Sequence, residues 1–227
     1  MKNKFIAVLA VFILCGLAPA HAQNLDAVLS SMDRAAASFR SAQCDFLSDQ
    51  YQKVVDDHDT QKGKMYFRRQ GSDVQMAADF APPEQKYVLF TGSLLSVYQP
   101  SINQVTQYSP GKNKGDFESF LVLGFGGSGQ DLAKSFDVKY SGMEQVQGVS
   151  AAKLELTPKS QRVRNMFSAI TLWIDPARGI SVQQRYDEPS GDYKLTKFSN
   201  IELNHKISDD VFKLKTNSHT TVVKPNS

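Results

Sequence analysis

An alternation of apolar and polar residues with a period of two, beginning at Cys44, is the feature that most restricts the fold of this chain. In residues 74–80, apolar side chains at the even positions oppose Gln75 and Asp79. Residues 64–69 show the same two-faced pattern. Successive side chains of a β-strand point to opposite sides of the sheet, so each of these segments has one apolar face and one polar face. The pattern is typical of antiparallel sheets with one side toward water.

Turn residues divide this pattern into about eleven strands. The predicted strands are residues 43–55, 62–70, 73–80, 86–91, 93–99, 102–108, 136–141, 150–157, 168–176, 179–187 and 191–204. Their short connections are rich in Gly, Pro, Asp and Asn, which makes neighbouring strands antiparallel. We expect a further short strand in residues 207–214 and a basic surface loop in residues 159–164. Eleven strands predict a strongly curved sheet or an incomplete barrel, with apolar residues on its concave side.

Helical periodicity is confined to two parts of the chain. From Asn24, apolar residues recur at helical spacing and predict an amphipathic N-terminal helix. We interpret Val28, Met32 and Phe39 in this region as packing residues and not as ligand contacts. Residues 115–136 predict two short helical pieces around a glycine-rich loop. The expected fold is therefore mainly β, of the α+β class, with a short helical lid available to cover the concave side.

The first 22 residues have the organisation of a secretory signal peptide. Lys2 and Lys4 precede an apolar run of 13 residues, 5–17, and small residues lead to a predicted cleavage after Ala22. The run is shorter than the roughly 18 to 20 residues that a membrane span needs. Cys15 raises the alternative of a lipoprotein signal, but the bulky residue before it does not suit that processing. We therefore expect soluble export.

Composition excludes several classes of protein. Without residues 1–22 the chain has 205 residues, the size of a single domain covering residues 23–227. Loss of two lysines lowers the formal charge from +3 to +1, and the absence of a basic block argues against a nucleic-acid partner. Cys44 is the one cysteine in residues 23–227, which precludes an internal disulfide. We expect a monomer.

The glycine-rich loop contains a complete G-x-G-x-x-G at Gly124, Gly126 and Gly129. In dinucleotide-binding proteins this motif follows a strand, opens a helix and is followed by an acidic residue about 20 positions later. Here it follows a helical segment, and Glu144 lies only 15 positions beyond Gly129. We interpret Gly126, Gly127 and Gly129 as a flexible hinge between two short apolar helices.

Other candidate sites have simpler explanations. Residues 56–59 (DDHD) lack further ligands at metal-binding spacing and suit a solvated hairpin tip. Ser128 lacks the strand and second glycine of a nucleophile elbow. Asp187 and Glu188 are adjacent, so on a strand they point to opposite faces. Cys44 suits a small apolar position in a strand. With no catalytic constellation, the sequence predicts neither an enzyme nor a metal or cofactor site.

Three stretches of sequence connect this layout to a known family. They are GKMYFRRQ (63–70), PEQKYVLFTGSLLSVYQPSINQVTQY (83–108) and LELTPKSQRVRNMFSAITLWID (154–175). The first matches a strand that ends in an arginine, here Arg69. The second matches a spaced pattern of family residues, which falls on Gly92, Leu95, Tyr98, Pro100 and Gln104. With the N-terminal helix and the helical insertion after the sixth strand, the chain resembles the periplasmic outer-membrane lipoprotein carrier proteins of the LolA type.

The resemblance implies a periplasmic carrier without a cofactor, built as an unclosed barrel with a lid over an apolar cavity. Such carriers accept acylated lipoproteins from an inner-membrane ABC-type release complex and pass them to an outer-membrane acceptor. The alternative function is a lipid- or lipoprotein-sensing regulatory protein of the same fold. For the cavity itself, the alternative from composition alone is a filled, dry core.

The resemblance also assigns roles to individual residues. The expected cavity wall consists of Met65, Phe67, Met76, Leu89, Leu172 and Ile174. The expected lid residues are Phe117, Phe120, Leu121 and Phe125, with the glycine hinge beside them. Arg69 is the expected latch, donating hydrogen bonds to lid carbonyls in the closed, empty state. The alternative for Arg69 is a strand-end side chain that reaches solvent.

Overall fold

The computed structural model describes residues 20–71, 73–92, 94–109 and 123–225. The helices are α1 (Ala20–Ser38), α2 (Gly129–Ser135) and α3 (Gln161–Met166). The strands are β1 (Ser41–Gln52), β2 (Asp57–Gln70), β3 (Asp73–Phe80), β4 (Lys86–Thr91), β5 (Leu94–Gln99), β6 (Gln104–Tyr108), β7 (Phe136–Val146), β8 (Val149–Pro158), β9 (Ala169–Asp175), β10 (Ile180–Asp187), β11 (Tyr193–Leu203) and β12 (Thr221–Val223). Short 3₁₀ helices span Pro100–Ile102 and Asp209–Phe212.

The twelve strands in the described parts of the chain form one sheet, in the order β12-β6-β5-β4-β3-β2-β1-β11-β10-β9-β8-β7. The first strand, β1, pairs with β2 on one side and with β11 on the other, which joins the two halves of the chain at the centre of the sheet. Only β12 runs parallel to its neighbour, β6. Because β7 and β12 are the two edges, the sheet is curled but unclosed, as the expected half-barrel requires.

The eleven predicted strands are all present, and the main differences lie in hairpins that project from the body. β2 begins at Asp57, although its first residues were expected in a turn. These polar residues are exposed and are held in the strand by pairing with β1, so no apolar alternation marks them. In the same way, β7 continues past a bulge to Val146, and the turn is reduced to Gln147 and Gly148, both with positive φ.

Two local predictions were wrong. Residues 207–214 contain the 3₁₀ helix Asp209–Phe212 in place of a strand, and the Ser208 hydroxyl accepts a hydrogen bond from the Asp210 amide at its start. Residues 159–164 are not a loop, because α3 begins at Gln161. The Arg164 guanidinium donates to the Pro158 and Lys159 carbonyls and so folds α3 back on the end of β8.

One side of the sheet, called here the inner face, is covered by α1 and by residues 123–136. Val28 and Met32 of α1 are buried against Leu154 and Leu172 in the half of the sheet formed by β7–β9. The helical spacing thus predicted the packing role of these residues correctly. The opposite side, the outer face, is covered over β3 and β4 by the C-terminal segment, through Ile207 and Phe212 among others.

Candidate functional site

The inner face of the other half of the sheet is lined by apolar and mostly aromatic side chains. This inner cluster consists of Phe39, Ala42, Cys44, Phe46, Phe67, Met76, Ala78, Phe80, Phe90, Phe125 and Phe198, with Met65 and Val88 among its partly buried neighbours. The register of β1 to β3 explains the grouping, since Ala42, Phe67 and Met76 face one another across adjacent strands. The result is an apolar wall that spans several strands.

Phe125 fills the centre of this wall although it belongs to no strand. Its ring is stacked on Phe67, with centroids 4.8 Å apart, and meets Phe198 edge-on at 5.0 Å. The side chain is only 1% exposed. Residues 123–126, called here the plug, therefore fill the space on the inner face next to the aromatic wall.

Three hydrogen bonds from two strands, β10 and β2, hold the backbone of the plug. The Ser181 amide donates to the Gly124 carbonyl at 2.9 Å, and the Gln184 side-chain amide donates to the Leu123 carbonyl. From β2, the Arg69 guanidinium donates to the Gly126 carbonyl at 2.9 Å. These contacts bind the carbonyls of a loop that lies across the sheet and pairs with no strand.

Arg69 lies at the rim of the inner face and not within the apolar wall. Its side chain is exposed, and its guanidinium carbon is 6.0 Å from the centre of the Phe39 ring. The alternation along β2 puts the Arg69 charge on the same side as Met65 and Phe67, and burial of that charge among apolar side chains would be costly. Because Arg69 lies near the end of β2, its guanidinium stays exposed to water while it binds the plug, and the cost of burying the charge does not arise.

The glycines of the motif lie where the backbone approaches its neighbours closely. A Cβ on Gly126 would lie 2.6 Å from the Phe39 ring, and φ at Gly126 is +87°. A Cβ on Gly129 would lie 2.4 Å from the Leu29 carbonyl oxygen. These glycines therefore permit α1 to pack against the plug and α2. The hinge role of Gly126, Gly127 and Gly129 stays a prediction.

The structure brings only part of the predicted site together. Met65, Phe67 and Met76 surround or adjoin Phe125 in the inner cluster. Leu172 and Ile174 are also on the inner face, but they are fully buried under α1 in a separate cluster.

Leu89 does not belong to this wall. It lies on the outer face with Ala77, Ile207 and Phe212, because its neighbour Phe90 pairs with Met76 and takes the inner position. The predicted lid residues Phe117, Phe120 and Leu121 lie outside the described residues. Phe125 is the lid residue whose position the structure shows.

A row of polar side chains crosses the inner face at the end away from Arg69, and sequence analysis missed it. Gln184, Thr196, Ser48 and Gln61 follow one another in register across β10, β11, β1 and β2. The Ser48 and Thr196 hydroxyls are 3.1 Å apart and buried. Ser48 shares a side of β1 with Phe46, and Thr196 shares a side of β11 with Phe198, but one polar residue in each strand does not indicate a continuous row. The row forms because the long-range pairing of β1 with β11 places the Ser48 and Thr196 hydroxyls side by side.

Two lysines accompany this polar row. The Lys86 ammonium lies 4.4 Å from the centre of the Phe80 ring and donates to the Gln61 side-chain carbonyl at 3.0 Å. Lys194 precedes Thr196 by two residues in β11 and pairs with Tyr186, so it also faces inward. Burial, together with the nearby charge of Lys86, lowers the pKa of Lys194 below its ordinary value.

Cys44 lies in a strand and is buried in the inner cluster, as predicted. Burial raises the pKa of its thiol to about 12. Within residues 20–71, 73–92, 94–109 and 123–225, no group of His, Cys, Asp or Glu has the arrangement of a metal site. None of the helices in these ranges is both long enough and apolar enough to cross a membrane.

The site is thus an apolar inner wall closed by a plug, and a family comparison agrees with it. Residues 38–215 match the family model of the outer membrane lipoprotein carrier protein LolA. The chain belongs to the LolA family. The match covers β1 through β11 and extends beyond the 3₁₀ helix that precedes the C-terminus. No curated protein matches this LolA-family chain in sequence.

Solved structures share the fold of this LolA-family chain at low sequence identity. An uncharacterized conserved protein from Thermus thermophilus is similar with a TM-score of 0.56 and 12% identity, over 89% of this chain and 100% of that one. MucB is similar with a TM-score of 0.55 and 14% identity, over 88% of this chain and 66% of MucB. MucB in the Pseudomonas aeruginosa MucA/MucB complex is similar with a TM-score of 0.50 and 14% identity, over 84% of this chain and 61% of that one. The chain spans slightly less than two thirds of these MucB chains.

Proposed function

We propose that this LolA-family protein is a periplasmic carrier that shields lipoprotein acyl chains on its inner face between the inner and outer membranes. The observation that carries the proposal is the packing of Phe125 on Phe67 and Phe198, which closes an aromatic wall with a loop instead of a strand. Because Phe125 belongs to no strand, it could leave the wall without disrupting the pairing of the sheet. A carrier needs a covering segment that moves away from the apolar wall when cargo binds.

The energetics of acyl chains explain why such a protein is needed. Burial stabilises a lipid chain by about 0.8 kcal/mol per methylene, so a 16-carbon chain exposed to water is disfavoured by on the order of 12 kcal/mol. An acylated protein therefore crosses an aqueous compartment only when its chains are covered. The wall of Met65, Phe67, Met76 and their neighbours offers such cover once Phe125 has moved away. Methionines suit a wall that must fit chains of different shape.

A carrier must also release its cargo, and the plug supplies the competing state. Phe125 and an acyl chain would occupy the same apolar surface, so the free energy of replacing Phe125 is subtracted from the affinity for cargo. We propose that Arg69 acts as the latch of this closed state through its hydrogen bond to the Gly126 carbonyl. Release to an acceptor is then favoured by closure of the plug.

The proposal includes the partners that the family resemblance implies. Cargo would be received from an inner-membrane ABC-type release complex and delivered to the outer membrane, with or without a dedicated acceptor. The protein would reach the periplasm by export, with cleavage after Ala22, and would act as a monomer. Neither catalysis nor a cofactor has a part in this cycle.

Native mass spectrometry of residues 23–227 purified gently from a bacterial periplasm tests the proposal. We expect added mass that fragments to a triacylated lipoprotein or to acyl lipid. A protein that is free of added mass, and that stays so after incubation with a solubilised lipoprotein, would show that the inner face is a permanently filled core. The carrier function would then be rejected.

A second candidate is a regulatory protein that senses lipids or mislocalised lipoproteins. The similarity to MucB, which has been solved in complex with MucA, favours this candidate at the level of the fold. The two functions differ in the fate of the bound acyl chain. A carrier passes its lipid to acceptor vesicles, whereas a sensor retains the lipid and changes its affinity for a membrane regulator. Transfer of a labelled lipoprotein to vesicles distinguishes them.

A further inference from the structure

Two cations share one end of the inner face. Lys86 begins β4 beside Phe80, and Lys194 lies in β11 two residues before Thr196. The polar row of Gln61, Ser48 and Thr196 runs between the strands that carry the lysines. Both side chains are only partly exposed. This end of the inner face is therefore polar and cationic, while the rest of the inner face is apolar.

A lysine at the edge of an apolar surface ordinarily extends its ammonium into water. Lys86 does not follow this rule, since its ammonium lies over the Phe80 ring and binds Gln61. For Lys194, no hydrogen bond or ion pair of the ammonium is found among the described residues. Lys194 thus holds a charge against the inner face without a countercharge from the described residues.

Within the described residues, two carboxylates contact the polar row, and both bind Gln61 and not the lysines. The Gln61 amide nitrogen donates to Asp59 at 2.9 Å and to Glu84 at 3.3 Å. Both acids are exposed, and neither forms an ion pair with Lys86 or Lys194 within the described parts of the chain. The lowered pKa of Lys194, caused first by burial and then by Lys86, agrees with a cation that has no acidic neighbour to offset it. An anion at this end of the inner face would be attracted by both lysines, because an opposite charge nearby favours the charged form of each.

We propose that the inner face binds lipids with an anionic head group, and that Lys86 and Lys194 bind the head group while the acyl chains lie on the aromatic wall. This inference rests on the proposed function, because it requires acyl chains on the inner face. It adds a ligand class to that function. The amide-linked acyl cysteine of a triacylated lipoprotein has no charge of its own, whereas the head group of an anionic phospholipid such as phosphatidylglycerol carries a net negative charge. Basic side chains bind such head groups selectively.

The experiment compares phosphatidylglycerol with phosphatidylcholine of identical short acyl chains, each below its critical micelle concentration. Binding is measured for the wild-type chain 23–227 and for Lys86→Gln and Lys194→Gln. We expect tighter binding of phosphatidylglycerol by the wild type, and a loss of about fivefold with each substitution, the usual effect of one basic residue on anionic lipid binding. Binding of phosphatidylcholine should not change, which also reports that the variants are folded.

Lys197→Gln is the matched control, because Lys197 is exposed on β11 three residues beyond Lys194 and faces the other side of the sheet. An equal loss with Lys197→Gln would mean that net charge alone attracts the lipid, and would overturn the proposal. Displacement of phosphatidylglycerol by inorganic phosphate at the lipid's concentration would reassign the site to a free anion and also overturn it.

The remaining outcomes separate this inference from the carrier function. If the wild type binds both lipids equally and the lysine variants change nothing, the head-group site is wrong and the carrier proposal stands. If the wild type binds neither lipid, this inference fails, and the incubation with a solubilised lipoprotein described above decides the carrier proposal separately.

Discussion

At the scale of single residues, Arg69 combines a structural contact with a position that water can reach. Its guanidinium donates to the Gly126 carbonyl, yet the side chain is exposed. A hydrogen bond from a charged donor contributes about 1.5 to 3 kcal/mol when it is shielded, and less at a surface. Such a contact is strong enough to bias the plug toward closure and too weak to hold it shut.

Replacing Arg69 with Leu should therefore slow release without unfolding the protein. Loss of about 1 kcal/mol of closed-state stability shifts the ratio of closed to open forms about fivefold, so delivery to acceptor vesicles should fall by a similar factor. The measurement is the transfer rate of a labelled lipoprotein, with urea unfolding as the test of folding. Arg162→Leu, on the exposed side of α3, is the control. Transfer by Arg69→Leu at the wild-type rate would contradict the latch.

Because of Cys44, the free energy of unfolding of the protein should decrease at alkaline pH. Burial raises the pKa of the thiol from its ordinary 9.0 to about 12, so the folded protein keeps a proton that the unfolded chain loses. The stabilisation is complete below pH 9 and is lost as the pH rises toward 12, at about 1.4 kcal/mol per pH unit.

Cys44→Ala removes this dependence and supplies the comparison. Between about pH 8 and pH 10, the free energy of unfolding of the wild type should fall by about 1.4 kcal/mol relative to that of Cys44→Ala. Tyrosines such as Tyr66, whose pKa burial raises, titrate in both proteins and cancel in the difference. A difference that stays constant across this range would show that the thiol is accessible to water.

At the scale of elements, the plug and the C-terminal segment cover opposite faces of the same strands. Phe125 packs on the inner face, and Phe212 packs on the outer face beneath the Arg68 guanidinium, which also pairs with Asp209. Both side chains are buried, and both cover the sheet from a segment outside it. Removal of Phe125 would expose the aromatic wall of the inner face, whereas removal of Phe212 would expose the outer face.

Phe125→Ala and Phe212→Ala should both lower the free energy of unfolding, each by about 3 kcal/mol, the lower end of the usual cost of a buried Phe→Ala change. Only Phe125→Ala should strengthen binding of a fluorescent fatty acid, by about fivefold or more, because it destabilises the state that competes with the ligand. Urea unfolding and fluorescence titration measure the two effects. Equal affinities in the two variants would exclude the plug as the competitor.

At the scale of the whole molecule, acyl binding should open the plug and leave the sheet intact. The Ser181 amide reports the change, since it donates to the Gly124 carbonyl when the plug is closed. The Arg69 amide, which donates to the Arg40 carbonyl, is the internal control. We expect faster hydrogen exchange at Ser181 and unchanged exchange at Arg69 when a saturating acyl ligand is added. Faster exchange at both amides would mean that the ligand loosens the sheet itself.

The order of the strands depends on contacts that no local pattern specifies. Eleven strands were predicted from alternation and turn residues, but the pairing of β1 with β11 joins residues far apart in the chain. This pairing joins Ser48 to Thr196 and so forms a polar row on the inner face, where polar residues are unexpected. The inner-face position was predicted correctly where one strand sufficed, as for Phe67 and Met76, and wrongly for Leu89, whose face depends on its partners, while the acyl-binding role of these residues stays a prediction.

By itself, the sequence determined a mainly β chain with an amphipathic N-terminal helix, because periods of two and 3.6 are local properties of the backbone. It also determined which side chains alternate together along each strand. Only the tertiary structure decided which of the two faces is inner and that Phe125 packs at the centre of the aromatic wall. It also decided that Gly126 and Gly129 leave room for Phe39 and Leu29. The physical reason is that alternation separates two faces of a strand, while curvature and long-range packing decide what covers each face.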